Sequence, residues 1–178
     1  MSTRVLTAEL WLPKPLASVF PFFANAGNLQ QITPPWVNFR VLTALPIEMR
    51  EGARIDYRIK VRGVPLGWRT RITGWDPPRG FVDVQERGPY VMWEHEHTFE
   101  EVGGGTMCRD RVRYRSPLGW ILHPLVVDRD VRRIFEYRQA RLAEVFGVKA
   151  ERVAVRIERE GAGVSAGSRG VGMASGAG

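Results

Sequence analysis

An α+β domain of the helix-grip type is expected from this chain: a curved antiparallel sheet of seven strands, two short helices after the first strand, and one long C-terminal helix over a cavity. Three features point to it. Residues 37–116 carry an almost unbroken β signal that Gly and Pro cut into strand-length pieces. One amphipathic helical stretch, 125–146, follows them. No internal repeat of useful length is present, which removes solenoids and propellers. A single helix must then cover the concave face of the sheet, and a sheet of about seven twisted strands curls enough to leave a hollow beneath it.

Residues 5–12 mix β-branched and apolar residues in partial alternation, a strand that Pro13 and Pro15 stop. Pro15 suits the first turn of a helix, and Leu16, Val19, Phe20, Phe22 and Phe23 follow at helical spacing, with Pro21 shortening or kinking the segment. A second short helical piece comes after 25–28, and Thr33-Pro34-Pro35-Trp36 then forces an extended turn. Strands are expected near 37–43, 53–62, 66–75, 81–87, 91–101 and 106–116. The separators Glu51-Gly52, Arg62-Gly63-Val64-Pro65, Asp76-Pro77-Pro78-Arg79-Gly80, Gly88-Pro89 and Gly103-Gly104-Gly105 suit short reversals, so the strands form a meander.

Pro117 and Gly119 end the last of these strands. In the long helix Val127, Val131, Ile134, Phe135, Leu142, Val145 and Phe146 form the apolar stripe, and Gly147 stops it. Beyond Lys149 the composition changes. Residues 153–157 have a marginal extended signal, but fourteen of the eighteen residues from Gly161 onward are Gly, Ala or Ser, which predicts disorder. The domain is accordingly set at 1–149 and the tail at 150–178.

With 178 residues and 44% hydrophobic content, one substantial core is expected and a second domain is not. A net charge of +7 raises nucleic acid as a partner. Nearly all the basic residues are Arg, however, scattered along strands and one helix without a run or a reading motif, so no nucleic-acid partner is expected. Cys108 is the only cysteine, which excludes an intramolecular disulfide and fits a reducing cytoplasm. Residues 1–13 lack the pattern of a signal peptide. The longest apolar stretch, 117–127, contains His123 and falls short of the roughly 20 residues of a membrane span. No cofactor is expected.

At this level of detail the chain resembles the START/polyketide-cyclase superfamily (SRPBCC), and within it a small bacterial ligand-binding subgroup sometimes joined to a nucleotide-sugar epimerase-like domain. The resemblance covers residues 4–147. It rests on Pro15-Leu16-Ala17-Ser18-Val19-Phe20, Asn28-Leu29, Thr33-Pro34-Pro35-Trp36, Gly88-Pro89, Trp93-Glu94-His95 and Phe99-Glu100. Asp110-Arg111-Val112-Arg113-Tyr114 and Ser116-Pro117-Leu118-Gly119 complete it. The resemblance implies the helix-grip fold and a ligand pocket; the superfamily includes lipid carriers, hormone receptors and cyclases.

Period-two reading assigns the faces of each strand. Ile55, Tyr57, Ile59 and Val61 point inward, as do Trp68, Thr70 and Ile72 on the next strand. Val91, Trp93, His95, His97 and Phe99 share an inner face, and so do Cys108, Asp110, Val112 and Tyr114. Outside, the acidic face of 91–101 lies beside the arginine-rich face of 106–116, giving cross-strand pairs worth roughly 0.2–1 kcal/mol each. The arginines of 54–71 have no comparable acidic neighbour, which predicts a positive patch and a surface open to a protein partner. Trp36, Phe20 and Phe23 are assigned to the core in preference to the pocket rim.

His95, His97 and Asp110 are the cluster able to carry chemistry. These polar groups either satisfy one another in an apolar pocket, or orient a carbonyl or hydroxyl of a hydrophobic ligand, or act as a general base with its orienting carboxylate. The expected ligand-binding set is Tyr57, Ile59, Trp68, Thr70, Trp93, His95, His97, Asp110 and Tyr114. The expected function is non-catalytic binding or transport of a small hydrophobic molecule, a lipid, isoprenoid or aromatic polyketide-like compound. The alternative is a cyclase or dehydratase using His95, His97 and Asp110. No metal is expected, since neither Cys108 nor His123 has a spacing that recommends it as a further ligand beside His-x-His.

Overall fold

Strand β1 (Arg4–Leu12) leads into helix α1 (Leu16–Phe23), followed by 3-10 turns at Ala26–Ile32 and Pro35–Val37. Then come β2 (Arg40–Val41), β3 (Arg54–Val61), β4 (Val64–Asp76), β5 (Gly80–Arg87), β6 (Met92–Val102) and β7 (Gly105–Arg115), with α2 (Pro124–Val145) and β8 (Ala154–Arg159) after them. These elements come from a computed structural model that describes residues 2–116, 124–148 and 154–161. The strands form one antiparallel sheet in the order β2-β3-β4-β5-β6-β7-β1-β8. The meander from β2 to β7 is as the Gly and Pro punctuation predicts, and β1 closes against β7. Among the described residues no helix is long and apolar enough to cross a membrane. Pro117, Gly119, His123 and, of the expected tail, residues 150–153 and 162–178 lie outside the described residues, while 154–159 of that tail form a strand.

The helix-grip arrangement is therefore present, with eight strands instead of seven. The eighth pairs Arg4 to Glu9 of β1 with 154–159. Its own sequence is short and charged, and what holds it is the otherwise unpaired edge of β1, with Val155 buried against Leu6 and Ala8. The strand expected at 37–43 shrinks to Arg40–Val41, because Pro35 sits in a 3-10 turn and Asn38 takes a left-handed φ of 44°. The helical piece after Asn25 is 3-10, capped by the Asn25 side chain accepting from the Gly27 N–H. The β3–β4 turn consists of Arg62 and Gly63, both at positive φ, the two-residue geometry that matches strand twist. Strand β4 thus begins at Val64 and absorbs Val64-Pro65, assigned to a separator by sequence.

Alternation on β3 and β7 places the expected residues inside: Ile55, Tyr57, Ile59, Cys108, Asp110, Val112 and Tyr114 are all buried. Val91 is a correction, exposed one residue before β6 begins. Val145 is likewise exposed, at the last position of α2. The solid interior lies over one half of the sheet. Leu6, Ala8, Val112, Tyr114, Val127, Val131 and Phe135 pack between β1, β7 and α2. Leu10, Leu12, Phe20, Phe23, Phe99, Cys108 and Leu142 fill the end beneath α1. Burial pushes the Cys108 thiol up to about 12, so it packs as an inert apolar group.

Outside, the expected ladder forms: Arg113 to Glu94 at 3.0 Å, Arg111 to Glu96 at 4.0 Å, Arg109 to Glu100 at 2.7 Å. The positive patch expected over 54–71 is reduced and not abolished: Arg54, Arg69 and Arg71 meet acidic partners, while Arg58 and Lys60 stay exposed on β3, with Arg40 paired opposite Arg58. Arg69 forms a two-bond fork on Asp56, and Glu86 takes both Arg54 and Arg71. Glu86 lies two strands away from Arg54, so pairing along sequence neighbours could not reveal it.

Sheet geometry also constrains one glycine beside the site. A Cβ on Gly80 would lie 2.3 Å from the backbone oxygen of His97, so only glycine lets β5 approach β6 at this register. Gly80→Ala is expected to lower stability by about 1–3 kcal/mol. Urea unfolding checks it, and a change below about 0.5 kcal/mol would contradict the close approach.

Candidate functional site

Over β3, β4 and β5 the helix stands away from the sheet and encloses a cavity of about 580 Å³. Tyr57, Ile59, Trp68, Thr70, Trp93, His95 and His97 line its sheet wall, as their inward phase requires. Val131, Ile134 and Phe135 supply the helix wall. Trp68 stands edge-on to Trp93 at 5.3 Å and donates its indole N–H to the Thr70 hydroxyl at 2.9 Å, which fixes both side chains and satisfies the buried Thr70. The exposed lining residues Trp36, Lys60, Arg62 and Arg133 mark the mouth, between the β3–β4 turn and α2. There Arg62 bridges to Asp130 of α2 at 3.2 Å, and Arg133 lies 4.3 Å over the Trp36 ring. Trp36 is 45% exposed, a rim residue and not core. Phe20 and Phe23 are core, Phe23 also reaching the cavity.

The remaining two expected residues sit elsewhere. Asp110 and Tyr114 lie behind the wall, under α2, where the Tyr114 hydroxyl donates to Asp128 at 2.7 Å. Asp110 meets the cavity wall only through its neighbours. Register sets it directly opposite His97, and its Oδ1 lies 2.9 Å from both His95 Nε2 and His97 Nδ1. Its other oxygen accepts from Gln139 Nε2 at 3.1 Å and faces Arg138 Nε at 3.6 Å. On the cavity side Asp83, opposite His95 on β5, approaches His97 Nε2 at 3.3 Å and His95 Nδ1 at 3.7 Å. The two imidazoles therefore stand between two carboxylates, with Phe81 stacked on His97 at 4.2 Å.

Burial alone would push the Asp110 acid up, but Arg138 and both imidazoles outweigh it and hold the group well below the usual carboxylate range. Burial and the neighbouring His97 push His95 down. His97 goes up: burial opposes its charge, and the contacts to Asp110 and Asp83 overcome that opposition. The result is an ionised carboxylate flanked by two imidazoles of unequal basicity at the wall of an apolar cavity.

Asp83, Arg138 and Gln139 were not among the residues singled out by sequence. Arg138 and Gln139 follow Phe135 by three and four positions, on the face that Val131 and Leu142 also use, so the helical phase places them inside. Asp83 carries a weaker signal, since Val82 and Val84 suggest the opposite phase for β5; Phe81 and its pairing with His97 decide the matter.

A family model described as polyketide cyclase / dehydrase and lipid transport matches residues 12–142. The chain belongs to this family. Its fold is shared by solved proteins of the polyketide-cyclase and START superfamily. The aromatase/cyclase ZhuI from Streptomyces sp. R1128 aligns with a TM-score of 0.61 and 17% identity, over 82% of this chain and 92% of that one. Protein Ms6760 from Mycobacterium smegmatis gives 0.60 and 18%, over 80% and 90%. A nucleoside-diphosphate sugar epimerase from Corynebacterium glutamicum gives 0.59 and 24%, over 78% of this chain but 28% of its own length. No curated protein matches the sequence. The matched span holds the cavity wall and Asp83, His95, His97, Asp110 and Arg138 together.

Proposed function

We propose that this protein binds a small, largely apolar molecule in the cavity, with one oxygen-bearing end turned toward His95, His97 and Asp83. What carries the reading is the composition of the wall: aromatic and aliphatic side chains around about 580 Å³, a charged mouth, and inside it the buried imidazoles of His95 and His97 beside Asp83. Tyr57, Ile59, Trp68, Thr70, Trp93 and the helix residues provide the apolar contact. Asp110 and Tyr114 contribute from behind, Asp110 by fixing the imidazoles. A lipid, an isoprenoid or an aromatic polyketide-like compound has the required character, and carriage without conversion needs nothing further.

Thermal unfolding against a library of those three compound classes, together with native mass spectrometry of protein purified from its host, tests the proposal. A ligand at a hundredfold excess over its Kd stabilises by about 2.7 kcal/mol, which for a domain of this size raises Tm by roughly 5–10 °C. Absence of any shift across the library, with no co-purified small molecule, would sink it.

One observation favours a catalytic variant, the cyclase or dehydratase reading. A carboxylate 2.9 Å from each imidazole is the arrangement of an oriented general base next to a bound carbonyl compound. Turnover decides between carriage and catalysis: any conversion that His95→Ala and His97→Ala leave unchanged does not use these groups.

A further inference from the structure

The two histidines and Asp83 present a ligand set that hydrogen bonding leaves incompletely used. His95 and His97 are two residues apart on β6, so their rings leave the same face, with centroids 3.8 Å apart. The register adds Asp83 from β5, and donor atoms of the three residues all lie within 4.8 Å of one another. The Asp83 carboxylate is 3.3 Å from His97 Nε2 and 3.7 Å from His95 Nδ1. A tetrahedral ion with bonds of about 2.0–2.1 Å separates its donors by about 3.3–3.4 Å, close to these spacings.

The opposite edges of both rings meet Asp110. His95 Nε2 and His97 Nδ1 each lie 2.9 Å from Asp110 Oδ1, which leaves His95 Nδ1 and His97 Nε2 facing the cavity-side carboxylate. A metal-binding imidazole characteristically sends its other nitrogen to a carboxylate, which sets the tautomer and aims the ring. Here one carboxylate hydrogen-bonds His95, lies 2.9 Å from His97 Nδ1, accepts from Gln139 and has Arg138 at 3.6 Å. On the cavity-facing edge of His97, a ring 4% exposed, Nε2 meets Asp83 at 3.3 Å, long for a hydrogen bond, and His95 Nδ1 is 3.7 Å from the same carboxylate, beyond hydrogen-bond reach. Two nitrogens and one oxygen suit a first-row transition ion; calcium and magnesium favour oxygen alone.

We infer that Asp83, His95 and His97 bind a divalent transition ion of the zinc class, with Asp110 as the positioning residue behind both imidazoles. Asp83, His95 and His97 all line the cavity, so the remaining coordination position opens into it. The site does not depend on the apolar-ligand reading, and its test uses metal alone.

The full chain, stripped with chelator, is titrated with Zn²⁺ by calorimetry and with Co²⁺ by visible absorption. One ion per chain is expected, and the Co²⁺ form should show the strong d–d bands of a four-coordinate site. Asp83→Asn, which keeps the side-chain shape, and His97→Gln should each weaken binding at least a hundredfold. Asp110→Asn should weaken it about 10–100-fold and alter the Co²⁺ bands. Circular dichroism and melting of each variant report whether it is folded, and Asp83→Asn carries the test if His97→Gln does not fold. An absence of Zn²⁺ and Co²⁺ binding by the unmutated protein would overturn the site. So would equal affinity in Asp83→Asn, or binding lost in His123→Asn but retained in Asp83→Asn. Ligand shifts that persist in chelator-stripped protein would leave the cavity reading standing without the metal.

Discussion

Asp110→Ala should lower the unfolding free energy by about 3–5 kcal/mol, the loss seen when one member of a buried charge network is removed. The reason lies in what surrounds the carboxylate. His95, His97, Gln139 and Arg138 all converge on its two oxygens, and Asp110 itself is 5% exposed. Little slack exists to absorb the loss, because Arg138 Nε, Gln139 Oε1 and His97 Nδ1 already lack well-aligned partners. Deleting the carboxylate leaves a buried guanidinium without its counter-ion and two buried imidazoles with Asp83 alone, and each unsatisfied buried group costs about 1–3 kcal/mol or more. Urea unfolding at neutral pH measures the effect, provided the slope m is unchanged so that the midpoint reports stability. A loss under about 1 kcal/mol would mean that water reaches the network and that Asp110 does not organise it. Against a typical total of about 5–15 kcal/mol, the expected loss also predicts poor recovery of the variant at 37 °C.

This network shows what the sequence makes legible and what it withholds. Period-two alternation places Tyr57, Ile59, Trp68, Thr70, Trp93, His95 and His97 on the inner face, and all of them line the cavity. It does so because strand phase is a local property. Asp110 has the right phase too, yet phase alone does not say which part of the sheet lies under the helix and which lies under the hollow. That depends on where α2 rests, and it rests over β1 and β7, so Asp110 and Tyr114 become packing behind the wall.

Register is the second kind of information missing from the sequence. That Asp110 stands opposite His97 and Asp83 opposite His95 follows from turn geometry summed along several hairpins, including irregular pairing on β4 between Ile72 and Gly74. The same limit explains the charge on the outer face. Glu94, Glu96 and Glu100 meet arginines of the adjacent strand β7 and are predictable, whereas Glu86 reaches Arg54 across β4 and is not. The eighth strand shows only as the marginal extended signal at 153–157 for a related reason: its stability derives from a partner edge more than from its own pattern.

Filling the hollow is the sharpest test of whether it is a binding site. Ile59 lines it from the sheet and Ile134 from the helix, and neither belongs to the polar cluster. Tryptophan at either position adds an aromatic ring to space that is already there, so folding should survive with a Tm within a few degrees of the unmutated protein. Binding should not survive. A compound that shifts the melting temperature of the unmutated chain is expected to lose at least tenfold in affinity to Ile59→Trp or Ile134→Trp, and to give no shift with the double variant. Overpacking alone would lower stability without regard to ligand, so the decisive quantity is the ligand-induced shift measured within each variant. If the double variant kept the full shift, the compound would be bound elsewhere, and the space under α2 would be a packing defect of the curled sheet with no role in recognition.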